Sequence, residues 1–308
     1  MSKAVASEFR HLAMFYTSVE EYLRGVLEFV DMKSAQDEPV FVAVPGERMS
    51  LIRDRLGARA DEMTFADMTA MGRNPAWIIP AIAAFLDAHP GRMIRYVGEP
   101  IWAGRSSQEI QEATRHEALI NLAFADRMVT ILCPYDVANL DVGVLANAEH
   151  THPELVRHGS PAESPAYRGH EFPGDCDQPL PPPPADAATF AYRDDLAAVR
   201  VLAVEYAERC ALPDRRAEEF VLTVSELAAN TLVHTTGPGM FHVWLTPHGV
   251  ICQVEDRGHI TDPLVGRRLP DLGAGEGFGL WLAHQLCDLA ELRSTPSGTT
   301  VRLHFHRP

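Results

Sequence analysis

The sequence predicts two domains of different fold class. We expect an α/β domain with a parallel sheet over residues 1–158 and an α+β sandwich over residues 188–308. A proline-rich segment over 159–187, which neither a helix nor a central strand tolerates, indicates a linker between them. Strand and helix patterns alternate before this segment, which favours a parallel sheet flanked by helices. After it, helices precede two hairpins that flank a further helix, which favours an α+β fold.

The N-terminal elements follow from apolar periodicity and from short apolar runs. Residues Val19, Leu23, Val26 and Val30 share one stripe, which predicts a helix over 18–33. Ser106 has the chemistry of a helix N-cap. The remaining predicted helices are 48–56, 76–89 and 106–125, and the predicted strands are 39–44, 93–99 and 128–136.

The C-terminal elements are two long helices and two hairpins. Phe241, Val243 and Leu245 alternate with other residues in the first hairpin, as expected for a strand with one buried face. A glycine-rich loop then leads into a helix, and AELRSTPSGTTVRLHF forms the closing hairpin. The predicted helices are 194–210, 214–235 and 278–290.

Composition limits the function. The chain has 308 residues, a formal net charge of −15 and a pI of about 5.3, so it lacks the basic footprint of a protein that binds DNA non-specifically. No apolar run is long enough for a membrane span. Its 5 cysteines form no CxxC pair, which is typical of reduced thiols in a cytoplasm. We therefore expect a cytoplasmic protein without nucleic-acid or membrane partners.

Polar and glycine motifs recur through the C-terminal domain. They are Glu226 with Asn230, EDRG at 255–258, GEGFGL at 275–280, and SGTTV at 297–301. Glu226 and Asn230 are four residues apart and share a helix face. The amide oxygen of Asn230 is a suitable Mg²⁺ ligand, and Glu226 could orient or deprotonate a nucleophile.

The glycine motifs fit a nucleotide. Asp256 ends a strand, where its carboxylate can accept a hydrogen bond from the amino group of adenine. Gly275, Gly277 and Gly279 would let backbone N–H groups approach phosphates at a helix N-terminus. Each motif alone is common in structural roles, but their order within one domain indicates a nucleotide site.

With these motifs, residues 190–306 resemble the GHKL-type (Bergerat) ATPase fold, and most closely the bacterial anti-sigma factor serine kinases. The resemblance implies Mg-ATP binding, with Asn230 as the Mg²⁺ ligand and Glu226 as the general base. It also implies a sigma factor and a STAS-type anti-anti-sigma protein as partners, the latter phosphorylated on Ser or Thr, and a possible homodimer. In the first glycine motif Ile260 stands where that family has a second glycine. The implied nucleotide contacts are Asn230, Asp256, Gly258, Gly275, Gly277, Phe278, Gly279, Leu280 and Thr300.

The N-terminal part resembles the MEDS sensory domain, which is related to RecA-like ATPases. The resemblance rests on HLAMFYTSVEEYL, RHEALIN and ILCPYD, followed by His152-Pro153. It implies a degenerate RecA-like fold that senses an unknown signal ligand and controls the ATPase domain. The loop PGERMS at 45–50 lacks the GxxxxGK[ST] motif and its phosphate-binding lysine, so we expect no ATP hydrolysis there.

Some alternatives stay open. A non-catalytic, ATP-gated module that binds a sigma factor would carry the same motifs. A sensor histidine kinase would use His116-Glu117, but this dipeptide lies inside a helix of the sensory domain. Cys133 could be a redox or ligand contact, although a buried thiol at a strand end is the more common case. The histidines near the linker match no compact metal finger, so no metal is expected there.

Overall fold

The structure is a computed structural model that describes residues 8–31, 38–193, 195–270 and 277–307. It divides into two compact units, an N-terminal unit over Met1–Cys176 and a C-terminal unit over Asp177–Pro308. The division falls within the predicted linker at 159–187. The exact domain boundaries remain a prediction.

The N-terminal unit is built on a mixed seven-stranded sheet of order β3-β2-β4-β5-β1-β6-β7. All neighbouring strands run parallel except β6 and β7, which pair antiparallel. The parallel α/β arrangement predicted from strand–helix alternation is therefore confirmed. The strands are β1 (Arg10–Tyr16), β2 (Val40–Val44), β3 (Thr64–Asp67), β4 (Ile94–Gly98), β5 (Val129–Asp136), β6 (Glu154–Arg157) and β7 (Ser160–Glu163).

Helices connect these strands. All five residues of β2 are buried, as expected for a strand covered on both faces. Ser106 caps α5 in a capping box with Glu109, in agreement with the sequence prediction. The helices are α1 (Val19–Asp31), α2 (Gly46–Leu56), α3 (Met68–Met71), α4 (Ile78–Asp87), α5 (Ser107–Ala123), α6 (Val142–Thr151) and α7 (Phe172–Asp175).

The C-terminal unit contains an antiparallel five-stranded sheet of order β11-β12-β10-β9-β8. Both predicted hairpins are present, and β8 adds an edge strand that the sequence did not predict. The strands are β8 (Ala188–Tyr192), β9 (Gly239–Thr246), β10 (Gly249–Asp256), β11 (Leu289–Thr295) and β12 (Gly298–His306). The helices are α8 (Leu196–Arg209), α9 (Asp214–His234) and α10 (Phe278–Leu286).

Helices and sheet of the C-terminal unit share one apolar core. Phe220 of α9 meets Phe305 of β12 edge to face, with ring centroids 5.1 Å apart. Val224 and Ala228 follow Phe220 at helical spacing, and all three are fully buried. The buried stripe of α9 thereby fixes which residues of this helix point elsewhere, including Asn230 near its C-terminal end.

The five cysteines are all buried and free of disulfide bonds. Among the described residues, none of the helices combines the length and the apolar character needed to cross a lipid bilayer.

Candidate functional site

The C-terminal unit has a pocket of about 600 Å³ where α9, β10 and α10 end or begin. Of the predicted contacts, the pocket brings together Asn230, Asp256, Gly258, Gly277 and Leu280. Gly275 lies outside the described residues. The other described lining residues are His234, Thr235, His259, Ile260, Thr261, Asp262, Val265 and Thr299.

Asp256 is the carboxylate of this pocket, and both of its oxygens are held. Oδ1 accepts a hydrogen bond from the backbone N–H of Gly258 at 2.7 Å, and Oδ2 accepts one from the Thr231 hydroxyl at 2.9 Å. Because a carboxylate only accepts, the Thr231 proton goes to Asp256, and the Tyr192 hydroxyl donates to Thr231 at 2.9 Å. The orientation of Asp256 is thus fixed by a chain that begins on β8.

The turn after Asp256 is fastened to the last hairpin. The Thr299 hydroxyl donates to the Gly258 carbonyl at 2.9 Å and lies 2.8 Å from the Ser294 hydroxyl. Ser294 in turn accepts the backbone N–H of Ile260 at 2.8 Å. A side chain at Gly258 would come within 3.0 Å of Asp256 Oδ1, which explains why glycine fits here. These contacts hold the carboxylate and the turn as one rigid edge of the pocket.

The N-terminus of α10 also lines the pocket, through Gly277 and Leu280. Gly277 precedes the helix with a φ of 88°, a left-handed conformation that favours glycine. The first N–H groups of a helix have no partner within the helix and can bind an anion. A Cβ at Gly279 would lie 2.8 Å from Asn230 Nδ2, so α10 approaches the Asn230 amide closely only because residue 279 has no side chain.

Four predicted residues, Glu226, Phe278, Gly279 and Thr300, are not among the described residues that line this pocket. Glu226 lines a separate groove of about 730 Å³ between α8 and α9, together with Arg200 and Ser225. Phe278 belongs to the first turn of α10 but is not among the residues that line the pocket. Thr300 pairs with Glu255, whereas Thr299 is the register partner of Asp256 and lines the pocket.

Sequence reasoning missed Thr231, Tyr192 and Thr299. Thr231 directly follows Asn230, and its hydroxyl is completely buried on a helix face that otherwise packs against the sheet. A polar residue on an apolar helical stripe was the available signal for Thr231. For Thr299 the signal was absent, because neighbouring residues of a strand face opposite sides and the register was needed to choose between Thr299 and Thr300.

One of the pockets of the N-terminal unit, of about 540 Å³, lies at the carboxyl ends of the parallel strands. Glu99, just after β4, is 3% exposed and accepts hydrogen bonds from the hydroxyls of Tyr16 and Tyr22, each at 3.1 Å. Burial raises the pKa of Glu99 to about 7, against an opposing effect of Arg48. Ligands of open α/β sheets commonly bind at such an edge, so this pocket is a candidate ligand site of the N-terminal unit.

Comparison with known families matches both units. Residues 10–153 match the MEDS family, described as the methanogen/methylotroph, DcmR sensory domain. Residues 190–305 match the family described as histidine kinase-like ATPase domain. No curated protein matches the chain.

Similar solved structures are distant. The RsbU and RsbW domains of a Mycobacterium tuberculosis protein are 21% identical, with a TM-score of 0.30, over 39% of this chain and 33% of that chain. A DnaB-like replicative helicase, solved to show its interactions with primase, is 10% identical, with a TM-score of 0.32, over 85% of this chain and 58% of that chain.

Proposed function

The chain carries a MEDS domain followed by a histidine kinase-like ATPase domain, and from this we propose that its C-terminal pocket binds Mg-ATP in a regulatory kinase that acts as an anti-sigma factor. Its substrate would be a Ser or Thr hydroxyl of an anti-anti-sigma protein of the STAS type. The N-terminal unit would bind the signal and control this activity, as a degenerate RecA-like domain without ATP hydrolysis of its own.

The fixed carboxylate of Asp256 carries the nucleotide part of the proposal. It lines the same pocket as the N-terminus of α10. An adenine amino group would donate to Asp256, beside the hydroxyl of Thr299. The phosphates would lie toward the backbone N–H groups after Gly277, where the helix dipole stabilises negative charge. The pocket therefore offers a hydrogen-bond acceptor for the adenine and backbone N–H donors for the phosphates of one nucleotide.

Asn230 would hold the metal. Its side chain lies at the pocket, next to Gly279. Mg²⁺ prefers oxygen ligands and keeps several waters, so a single amide oxygen plus phosphate oxygens is a suitable set. The bound ion would neutralise charge on the phosphates during transfer.

Glu226 would act from the groove between α8 and α9. It lies one helical turn before Asn230, on the same side of α9. A partner's hydroxyl would approach along this groove and attack the γ-phosphorus in line. A new O–P bond would form, the bond to the β-phosphate oxygen would break to release ADP, and the hydroxyl proton would pass to Glu226 and then to water.

Two alternatives are distinguished by observation. A non-catalytic ATP-gated binder of a sigma factor would use the same pocket. This second candidate is supported by the position of Glu226, which lies outside the pocket lining.

The histidine kinase alternative loses support, because His116 lies on α5 with 1% of its surface exposed. A phosphoacceptor histidine has to reach a nucleotide bound elsewhere, which this buried ring cannot do.

The test is a pull-down from extract of the native cells with Mg-ATP, analysed by mass spectrometry for partners and for new phosphosites. We expect a sigma factor and a small protein newly phosphorylated on Ser or Thr. Glu226→Gln should capture the same partners without the phosphosite, and Glu205→Gln, an exposed glutamate on α8, is the matched control. Partners without any phosphosite would favour the binding module, and phosphate on a histidine of this chain would refute both proposals.

A further inference from the structure

Four side chains with metal-binding chemistry meet in the core of the N-terminal unit. They are His11 of β1, Glu117 of α5, Cys133 of β5 and His152, which directly follows α6. One ligand atom from each lies within 4.8 Å of the others, and no residue of the set is more than 1% exposed. Buried ionisable groups are costly unless they are paired or bind a metal.

The spacing within this cluster approaches that of a tetrahedral site. Glu117 Oε2 lies 3.0 Å from His11 Nε2, 3.2 Å from His152 Nε2 and 3.3 Å from Cys133 Sγ. The Cys133 sulfur is 3.4 Å from His11 Nε2. With metal–ligand bonds of about 2.0–2.3 Å, the edges of a tetrahedron are roughly 3.3–3.7 Å long. Four of the six edges are thus within a few tenths of an ångström of these lengths, and the two from His152 Nε2 to His11 Nε2 and to Cys133 Sγ are at most 4.8 Å.

A hydrogen bond at Nδ1 of His11 fixes which of its two ring nitrogens carries the proton. Nδ1 lies 3.1 Å from Asn121 Oδ1. The Asn121 amide cannot be turned around, because its Nδ2 donates to the Thr151 carbonyl at 2.8 Å. Nδ1 of His11 therefore carries the proton, and the lone pair of the neutral ring lies on Nε2, which faces Glu117 and Cys133.

His152 has the same arrangement. Its Nδ1 lies 2.8 Å from the Ala148 carbonyl, which only accepts, so Nδ1 carries the proton. Nε2 is buried, and no described residue forms a hydrogen bond of acceptable geometry with it. A ring nitrogen that donates to a carbonyl or amide oxygen while the other nitrogen binds the ion is the usual arrangement of a metal-bound histidine.

The two Nε2 atoms and the carboxylate oxygens of the cluster are consequently all acceptors when the rings are neutral. Two Nε2 lone pairs converge on the carboxylate of Glu117, whose second oxygen, Oε1, is also buried without a partner among the described residues. Only the Cys133 thiol has a proton to donate into this group. A cation bound between them would satisfy both Nε2 lone pairs and Glu117 Oε2 at once.

We infer that the N-terminal unit binds one divalent transition-metal ion of the Zn²⁺ class through His11 Nε2, His152 Nε2, Glu117 Oε2 and Cys133 Sγ. Two imidazoles, one thiolate and one carboxylate match the donors that zinc takes in proteins. Cys133 would bind as thiolate and release its proton to solvent, so each ion bound displaces one proton.

Full burial and four protein ligands make this a closed site of structural type. The ion would join two neighbouring parallel strands, β1 and β5, to the helix face of α5 and to the end of α6. These elements are distant in sequence, so the ion would stabilise the unit against unfolding rather than bind a substrate.

The first experiment is metal analysis of the full chain purified without an affinity metal. We expect one equivalent of zinc per chain, and a lower melting temperature after removal with a chelator. Cys133→Ser should lose most of the metal. Cys176→Ser, which changes another buried cysteine of the same unit, should keep it.

A second measurement on the wild-type chain avoids dependence on variants that fail to fold. After chelation, one equivalent of Co²⁺ should give the intense visible bands of a tetrahedral ion and a thiolate charge-transfer band in the near ultraviolet. The inference would be overturned by a chain that purifies without metal, shows a cooperative unfolding transition and gives only the weak spectrum of octahedral Co²⁺. The cluster would then be a hydrogen-bonded network alone. Neither outcome depends on kinase activity.

Discussion

Replacement of Thr231 by valine tests how Asp256 is held. Valine has the same shape as threonine but lacks the hydroxyl, so the change removes two hydrogen bonds, both of 2.9 Å, and little volume. One of them goes to a charged acceptor and contributes about 1.5–3 kcal/mol, and the buried Tyr192 hydroxyl would lose its acceptor at a cost of about 1–3 kcal/mol. These effects overlap, and we expect the free energy of unfolding to fall by roughly 2–4 kcal/mol.

The same change should weaken nucleotide binding. In the nucleotide-free protein only the Gly258 N–H would then orient the Asp256 carboxylate, so its position would no longer be fixed for binding adenine. A loss of about 1.4 kcal/mol in binding corresponds to a tenfold higher Kd for ADP. Titration calorimetry with ADP and, as a ligand without a base, with Mg-pyrophosphate would separate an effect on the base from an effect on the phosphates.

Thr223→Val is the matched control for this experiment. Thr223 is equally buried on the same helix, but its hydroxyl donates only to the backbone carbonyls of Glu219 and Phe220. We expect unchanged ADP binding in this variant. If Thr231→Val is folded and binds ADP as tightly as Thr223→Val does, Asp256 is not the adenine contact that we infer.

Three further predictions concern both units. Gly279→Ala would place a methyl group 2.8 Å from Asn230 Nδ2 and should raise the Kd of Mg-ATP at least about tenfold, with wild-type affinity as the contradicting result. Asn230→Ala should abolish the dependence of ATP binding on Mg²⁺, and calorimetric titrations that still change with Mg²⁺ would exclude it as the metal ligand. The pKa of Glu99 is raised to about 7 by burial, so its contribution to stability is complete below its unfolded pKa and is lost as the pH rises through 7. Relative to Glu99→Gln, the wild-type N-terminal unit should therefore lose on the order of 3 kcal/mol between pH 4 and 8, measured by pulse proteolysis in urea, whereas parallel curves would contradict the shift.

The sequence predicted the elements with strong local signals. Ser106 and Glu109 form the capping box that the N-cap position indicated, and the two C-terminal hairpins lie where apolar residues alternate. Strand β1 was missed because its buried run shows no alternation, which is expected for a strand between β5 and β6 at the centre of a sheet. Strand β8 was missed because its pairing with β9 depends on tertiary contacts.

The candidate sites differ in how much could be predicted. Asp256 and the glycines near it follow a recognisable order along the chain, so the sequence could predict that they share one pocket, and their role in binding a nucleotide stays a prediction. Thr299 required the strand register, and the separation of Glu226 from the pocket required the packing of α8 on α9. The buried cluster brings His11 and His152 together with Glu117 of α5 and Cys133 of β5. These residues are far apart in the sequence, so no short motif predicts the site.

The most direct test of the account is calorimetric titration of Mg-ATP into the full chain and into Asp256→Ala. This change removes the carboxylate to which the proposal assigns the contact with adenine. Asp141→Ala, which removes an exposed carboxylate of the N-terminal unit, serves as the control. We predict saturable binding with one site for the wild-type and control chains, and at least a tenfold weaker affinity for Asp256→Ala. Equal affinity in all three chains, or no binding in any, would contradict the assignment of this pocket to ATP.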